Sequence, residues 1–156
     1  LPRSILVTSA QAHEGKSTMV HALALALADL GKRVLVIDAD MRHPSQHILF
    51  RTGGAGVSAV MTGQATTEDV IVESGATNLW IMPCGAIPPN PAELLATRAL
   101  DGLLTQVQGR FDTVLIDAPA ILGLPDVPLI AARAQATLLI IESGRNHHGG
   151  LRVAVE

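Results

Sequence analysis

The chain has 156 residues, 48% of them apolar and 16% charged, with a net charge of −3. That length suits one α/β domain with a real core. The apolar content excludes a disordered chain, and the weak negative charge argues against nucleic-acid binding. No run of 18 apolar residues occurs, so no membrane-spanning helix is predicted. The single cysteine, Cys84, excludes an internal disulfide, fits a reducing cytosol and suits a small buried hydrophobe. Tyrosine is absent. Leu1-Pro2-Arg3 leads straight into an apolar run, so no secretory leader is expected. Residues 153–156 read like the opening of a helix, and the expectation is a single domain over 1–156, trimmed from something longer at both ends.

Residues 4–8 form a continuous apolar run, as expected of a parallel strand buried on both faces. Ser9-Ala10-Gln11-Ala12-His13-Glu14-Gly15-Lys16-Ser17-Thr18 follows at once. Strand, tight loop, Gly-Lys-Ser and helix in that order make a phosphate-binding P-loop. Backbone N–H groups and the positive end of the helix would point at a polyphosphate. Gly15 lets the backbone approach closely, Lys16 would reach the β- and γ-phosphates, and the Ser17 hydroxyl would hold Mg²⁺. Ala10 stands where the usual motif has its first glycine. Residues 17–30 read as a helix, apolar on most sides and so largely buried, with Gly31 in the left-handed position at its end.

Residues 33–37 are the second predicted strand, and Asp38 and Asp40 follow at its carboxyl end. Two acids at i and i+2 share a direction if the strand persists, at the end where α/β sheets bind ligands. They are candidates for holding Mg²⁺ or positioning water. Arg42 is either a contact to phosphate or to a neighbouring subunit, or a solvated loop residue. Residues 45–63 read as a glycine-rich surface passage with one short helix at 57–61. Thr66 opens another helix, reaching about residue 73, and residues 79–83 are the third strand, with Trp80 in the core or an interface.

Prolines at 88, 89 and 91 mark a sharp boundary. Asn90 suits the N-cap of a helix that begins at Pro91 and runs, on an amphipathic pattern, to Gly109. Residues 111–119 read as the fourth strand, its apolar run leading into Asp117, whose carboxylate would sit beside the P-loop and hold Mg²⁺, usually through water. Asp126 is expected to cap a helix reaching about residue 133, and residues 136–142 are the fifth strand. His147-His148 lacks a third ligand and carries little weight as a metal pair. The alternation predicts a doubly wound, mostly parallel sheet with helices on both faces.

These motifs together resemble the bacterial tyrosine kinases, the cytoplasmic ATPase domains of capsule and exopolysaccharide export systems. The resemblance rests on residues 8–18, on Val34-Leu35-Val36-Ile37-Asp38-Ala39-Asp40-Met41-Arg42-His43-Pro44, on Pro88-Pro89-Asn90-Pro91-Ala92-Glu93-Leu94-Leu95, and on the run from Phe111 to Pro119. The proline-rich signature is the most specific part. The resemblance implies a P-loop NTPase fold related to the partition and septum-site ATPases, with ATP or ADP and Mg²⁺ as ligands. It implies a nucleotide loop of Ala12, His13, Glu14, Gly15, Lys16, Ser17 and Thr18, and a base seated near Arg145. Lys16, Asp38, Asp40 and Asp117 map to catalytic roles, and Ser17, Asp38 and Asp117 to the metal. An aspartate from the 38–40 pair would orient or deprotonate an incoming tyrosine hydroxyl.

The resemblance further implies a membrane-spanning activator on the same or a separate polypeptide, a ring-shaped homo-oligomer, no nucleic acid, and a place at the inner face of the plasma membrane. Ala12 and His13 replace a proline and a glycine common in that loop, and Ala120 replaces a second proline after Asp117. The tyrosine-rich tail of the family is absent from this sequence, as is the arginine-bearing helix before the first strand. An ATP-hydrolysing assembly switch without kinase activity is the alternative reading, and a non-catalytic scaffold a third.

Overall fold

The computed structural model describes residues 1–144. Its centre is a sheet in the order β3-β4-β2-β5-β1-β6. The strands are β1 Ser4–Ser9, β2 Val34–Asp38, β3 Val72–Glu73, β4 Leu79–Met82, β5 Thr113–Asp117 and β6 Ala136–Ile140. All pairings are parallel except the short β3, which runs antiparallel on the β4 edge. The expected doubly wound sheet is therefore present, with one strand more than the sequence indicated.

Strand periodicity explains how both faces are covered. Val34 and Val36 of β2 and Leu115 of β5 pack with Val7 beneath Val20, Ala24 and Leu27 of α1, Lys16–Asp29. Their neighbours Leu35, Ile37, Val114 and Ile116 face the opposite layer. That layer contains α3 Val57–Met61, α5 Pro91–Leu95, α6 Ala99–Gln108 and α7 Asp126–Ala131. Two short helices, α2 Gln46–Leu49 and α4 Thr67–Val70, complete the set. None of the described helices is long and apolar enough to cross a membrane.

Several expectations need correction. Helix α1 buries one stripe, Val20, Ala24, Leu27 and Ala28, and leaves Met19 46% exposed. The sheet covers only one of its sides, and the alanines on the outer side tolerate water. At its end, Gly31 takes φ 81, and Gly31 and Lys32 donate to Ala28 O and Leu27 O, as a glycine-closed helix requires. The helix expected over 91–108 is two helices. Thr97 Oγ1 donates to Leu94 O at 2.7 Å and accepts from Ala99 N–H at 3.3 Å, which replaces helical bonds at the break. Asn90 precedes α5, but its amide donates to Glu93 Oε2 at 2.9 Å and makes no cap to the backbone.

Thr66 and Asp69 form the capping box that starts α4. This helix stops at Val70, short of residue 73, and the chain extends into β3. Trp80 packs on Phe111 with ring centroids 5.4 Å apart, as a core residue. Cys84 is buried, as its residue type suggested. Gly56 begins α3 against the end of β4, where Val57 N–H donates to Pro83 O at 2.9 Å. A Cβ at Gly56 would lie 1.8 Å from Pro83 O, so no larger residue fits this contact.

Candidate functional site

The parallel strands end on one edge, and β5 lies between β2 and β1. Asp117 at the end of β5 is in register with Asp38 at the end of β2 and with Val7 of β1. The P-loop that leaves β1 therefore arches over an acid contributed by the adjacent strand. Gly15 occupies the N-cap of α1 at φ 77, a left-handed conformation that glycine adopts without a steric cost. His13 also takes a left-handed φ of 64, a conformation uncommon outside glycine. The loop is braced from beneath. Glu14 is buried and accepts from Gln11 N–H at 2.7 Å and from Glu142 N–H at 3.1 Å.

Above the loop lies a cleft of ≈ 750 Å³. Its walls include Ala12, His13, Gly15, Lys16, Ser17 and Thr18 of the predicted loop, whereas Glu14 turns away from it. Asp40, Arg42, Ser45 and the segment after β5, from Pro119 to Leu124, form the facing side. That segment lies along the P-loop because Ile121 N–H donates to Ser9 O at 2.8 Å and Thr8 Oγ1 to Pro119 O at 2.7 Å.

At the floor, Lys16 Nζ lies 2.8 Å from Asp117 Oδ1 and 3.5 Å from Asp40 Oδ2, and it donates to Ser17 Oγ at 3.3 Å. Asp117 is fully buried, and the Lys16 side chain is only 10% exposed. Asp40 Oδ1 accepts from Arg42 N–H at 3.2 Å and His43 N–H at 2.9 Å, which fixes the turn after β2. Asp38 is deeper. Its Oδ2 accepts from Ser45 N–H at 3.0 Å and Gln46 N–H at 2.9 Å, so it holds the start of α2. Burial pushes the Asp38 carboxyl up to about 7, with help from the charges of Asp117 and Asp40 and against those two backbone donors.

Two carboxylates, Asp117 and Asp40, thus share one ammonium at this floor, an excess of negative charge that a divalent cation would balance. Among the described residues, no group of three His, Cys, Asp or Glu side chains could by itself hold a metal ion. Mg²⁺ in a nucleotide site needs no such cage, since phosphates and water supply most of its shell. Ser17 at the cleft wall and Asp117 beneath it fit that limited protein contribution. Two buried polar atoms next to each other in the chain, Ser45 Oγ and Gln46 Oε1, have no protein partner. Such atoms fit a site completed by water or ligand.

Two features escaped the sequence reading. Gln46, in the expected loop, is fully buried and donates from Nε2 to Asp117 Oδ2 at 2.7 Å and to Ser17 O at 3.0 Å. Asp126 does not cap α7. Its buried carboxylate takes a bidentate pair from Arg42, with Nε and Nη2 each at 2.9 Å. Arg42 is thereby anchored by Asp126 rather than a solvated loop residue, while its side chain still lines the cleft. No local signal joins residues 71 or 84 positions apart. Cys84 lies in the field of Asp38 and Asp40, and its thiol is pushed up to about 12, chiefly by burial. Arg145, His147 and His148 lie outside the described residues.

The AAA domain family matches residues 3–149. The tyrosine-protein kinase YwqD of Bacillus subtilis (strain 168) is 36% identical over 92% of this chain and 61% of its own length. The putative tyrosine-protein kinase CapB of Staphylococcus aureus is 31% identical over 97% of this chain and 67% of its own. In the tyrosine-protein kinase wzc of Salmonella typhimurium the match covers 87% of this chain but 19% of the relative. Among solved structures, the kinase domain of Escherichia coli tyrosine kinase ETK superposes with a TM-score of 0.94 at 28% identity, covering 99% of this chain and 61% of that one. The septum site-determining protein MinD of Pyrococcus horikoshii OT3, complexed with Mg-ADP, gives 0.77 at 25% identity, over 90% and 58%. The chain spans about three fifths of YwqD and a fifth of wzc, so it corresponds to one part of larger relatives. Its P-loop, its strand-end acids and these matches agree, and the chain belongs to the bacterial tyrosine-protein kinase family of AAA-domain proteins.

Proposed function

We propose that this chain binds MgATP in the cleft above Lys16 and transfers the γ-phosphoryl group to tyrosine hydroxyls. The observation that carries the reading is the contact of Lys16 with both Asp117 and Asp40 at the mouth of a P-loop. The sequence has no tyrosine, so the acceptor lies on another chain or beyond this segment. The loop N–H groups and the α1 N-terminus cradle the phosphates. Lys16 exchanges Asp117 for the β- and γ-phosphates, and Ser17 with Asp117 and Asp38 forms the protein side of the metal site. Mg²⁺ neutralises charge on the transferring group when bound. Asp40, at the cleft wall, orients the tyrosine hydroxyl and takes its proton as the γ-phosphorus bonds to the phenolic oxygen and parts from the β–γ bridging oxygen. Positioning and charge stabilisation provide most of the rate.

The likeness to a solved tyrosine kinase domain at a TM-score of 0.94, against 0.77 for MinD, favours this reading over an ATP-driven assembly switch. The Mg-ADP named for that MinD structure supports the choice of ligand. In the whole protein, the reading includes regulation of capsule or exopolysaccharide polymerisation and export, a membrane-spanning activator, ring assembly and a site at the inner face of the membrane. Radiolabelled ATP with the full-length protein tests it. Label on tyrosine is expected, and Lys16→Met abolishes it. Phosphate release without labelled tyrosine would favour the switch, and unchanged turnover in Lys16→Met would refute the role given to Lys16.

A further inference from the structure

Gln46 links the parts of the site that the motifs supply separately. Its backbone N–H donates to Asp38 Oδ2 at 2.9 Å, and its Nε2 to Asp117 Oδ2 at 2.7 Å and to Ser17 O at 3.0 Å. One residue on α2 thus touches both strand-end acids and the first turn of α1. The amide orientation follows from its partners. Ser17 O and Asp117 Oδ2 can only accept, so the NH₂ faces them and Oε1 is left over. That Oε1 is buried and has no protein partner, and Ser45 Oγ on the preceding residue, which lines the cleft, has none either. A second carboxylate at position 46 would repel Asp117, whereas the neutral amide pins one carboxylate oxygen and leaves Oδ1 directed at Lys16.

We propose that Gln46 is a positioning residue of the phosphoryl-transfer centre. It holds the Asp117 carboxylate in the orientation that a bound cation would use, and its unpartnered Oε1 is the acceptor left for a bridging water. Outer-shell partners of this kind orient a ligand without touching the metal. The proposal rests on the MgATP reading above, and it assigns a role to a residue outside the nucleotide and acidic motifs.

The test measures ADP affinity of the full-length protein twice, in Mg²⁺ and in EDTA, using a fluorescent ADP. The ratio of the two dissociation constants isolates the cation's contribution. In Gln46→Leu, and in Gln46→Met as a better match in length, the ratio is expected to fall at least about tenfold, as loss of an outer-shell partner does. Affinity in EDTA is expected to stay within about twofold, since the P-loop contacts remain. A ratio equal to wild type overturns the proposal. So does a parallel loss in EDTA, which would mark a packing role alone, and so does failure of both variants to fold. A wild-type ratio of one is a separate result: it removes the MgATP reading, and this inference with it.

Discussion

Lys16→Met should destabilise the nucleotide-free domain as well as silence it. Met keeps the stem of the side chain and deletes the ammonium. Asp117 then loses a partner at 2.8 Å while remaining fully buried, with the Asp38 and Asp40 carboxylates nearby. Removing one member of a buried pair costs about 3–5 kcal/mol, because the charge left behind is uncompensated. Whole-domain stabilities are about 5–15 kcal/mol, so the loss is large. For a domain of this size each kcal/mol moves the melting midpoint by roughly 2–4 °C. The fall expected at pH 8 is therefore on the order of 10 °C. Adding Asp117→Asn should restore much of the loss. Denaturant titrations at pH 8 provide the check. A Lys16→Met midpoint equal to wild type at pH 8, with unchanged slope, would refute the claim that this lysine balances the buried acids.

Further substitutions probe neighbouring contacts. Asp38 is held at about 7 against 3.8 when unperturbed, so the nucleotide-free protein loses stability as pH rises from 4 to 7. The cost has an upper limit of about 4 kcal/mol; Asp38→Asn should flatten the pH profile of the denaturation midpoint, and a slope unchanged from wild type would contradict it. Arg42→Ala strands the buried Asp126 and should cost about 3–5 kcal/mol in the same assay. Arg42→Lys should recover little, because an ammonium cannot reproduce the bidentate pair; full recovery would contradict the planar geometry. Gly56→Ala places a Cβ 1.8 Å from Pro83 O, and thermal melts should show a clear loss unless the start of α3 shifts.

The local parts of this design are visible along the chain. Residues 9–18 carry their own chemistry because the P-loop is a contiguous turn whose donors belong to the backbone. Buried parallel strands announce themselves as apolar runs, and the runs ending at Asp38 and Asp117 gave two of the acids. Less was legible where two local tendencies competed. Nothing in the leucine pattern of residues 94–107 reveals that the Thr97 hydroxyl interrupts the helix. Likewise, four residues of α2 are too few to show a period, and so Gln46 read as loop.

By itself, then, the sequence determined the phosphate loop, the alternation of strands and helices, and the kinds of side chain at the strand ends. Only the tertiary structure decided that β5 lies between β1 and β2, which brings Asp117 beneath Lys16 and beside Asp38. It also decided that Arg42 binds Asp126 and that Gln46 reaches Asp117. The physical reason is that strand order depends on how apolar faces pack across the whole sheet, and hydrogen bonds between residues 71 and 84 positions apart leave no periodic trace in the chain.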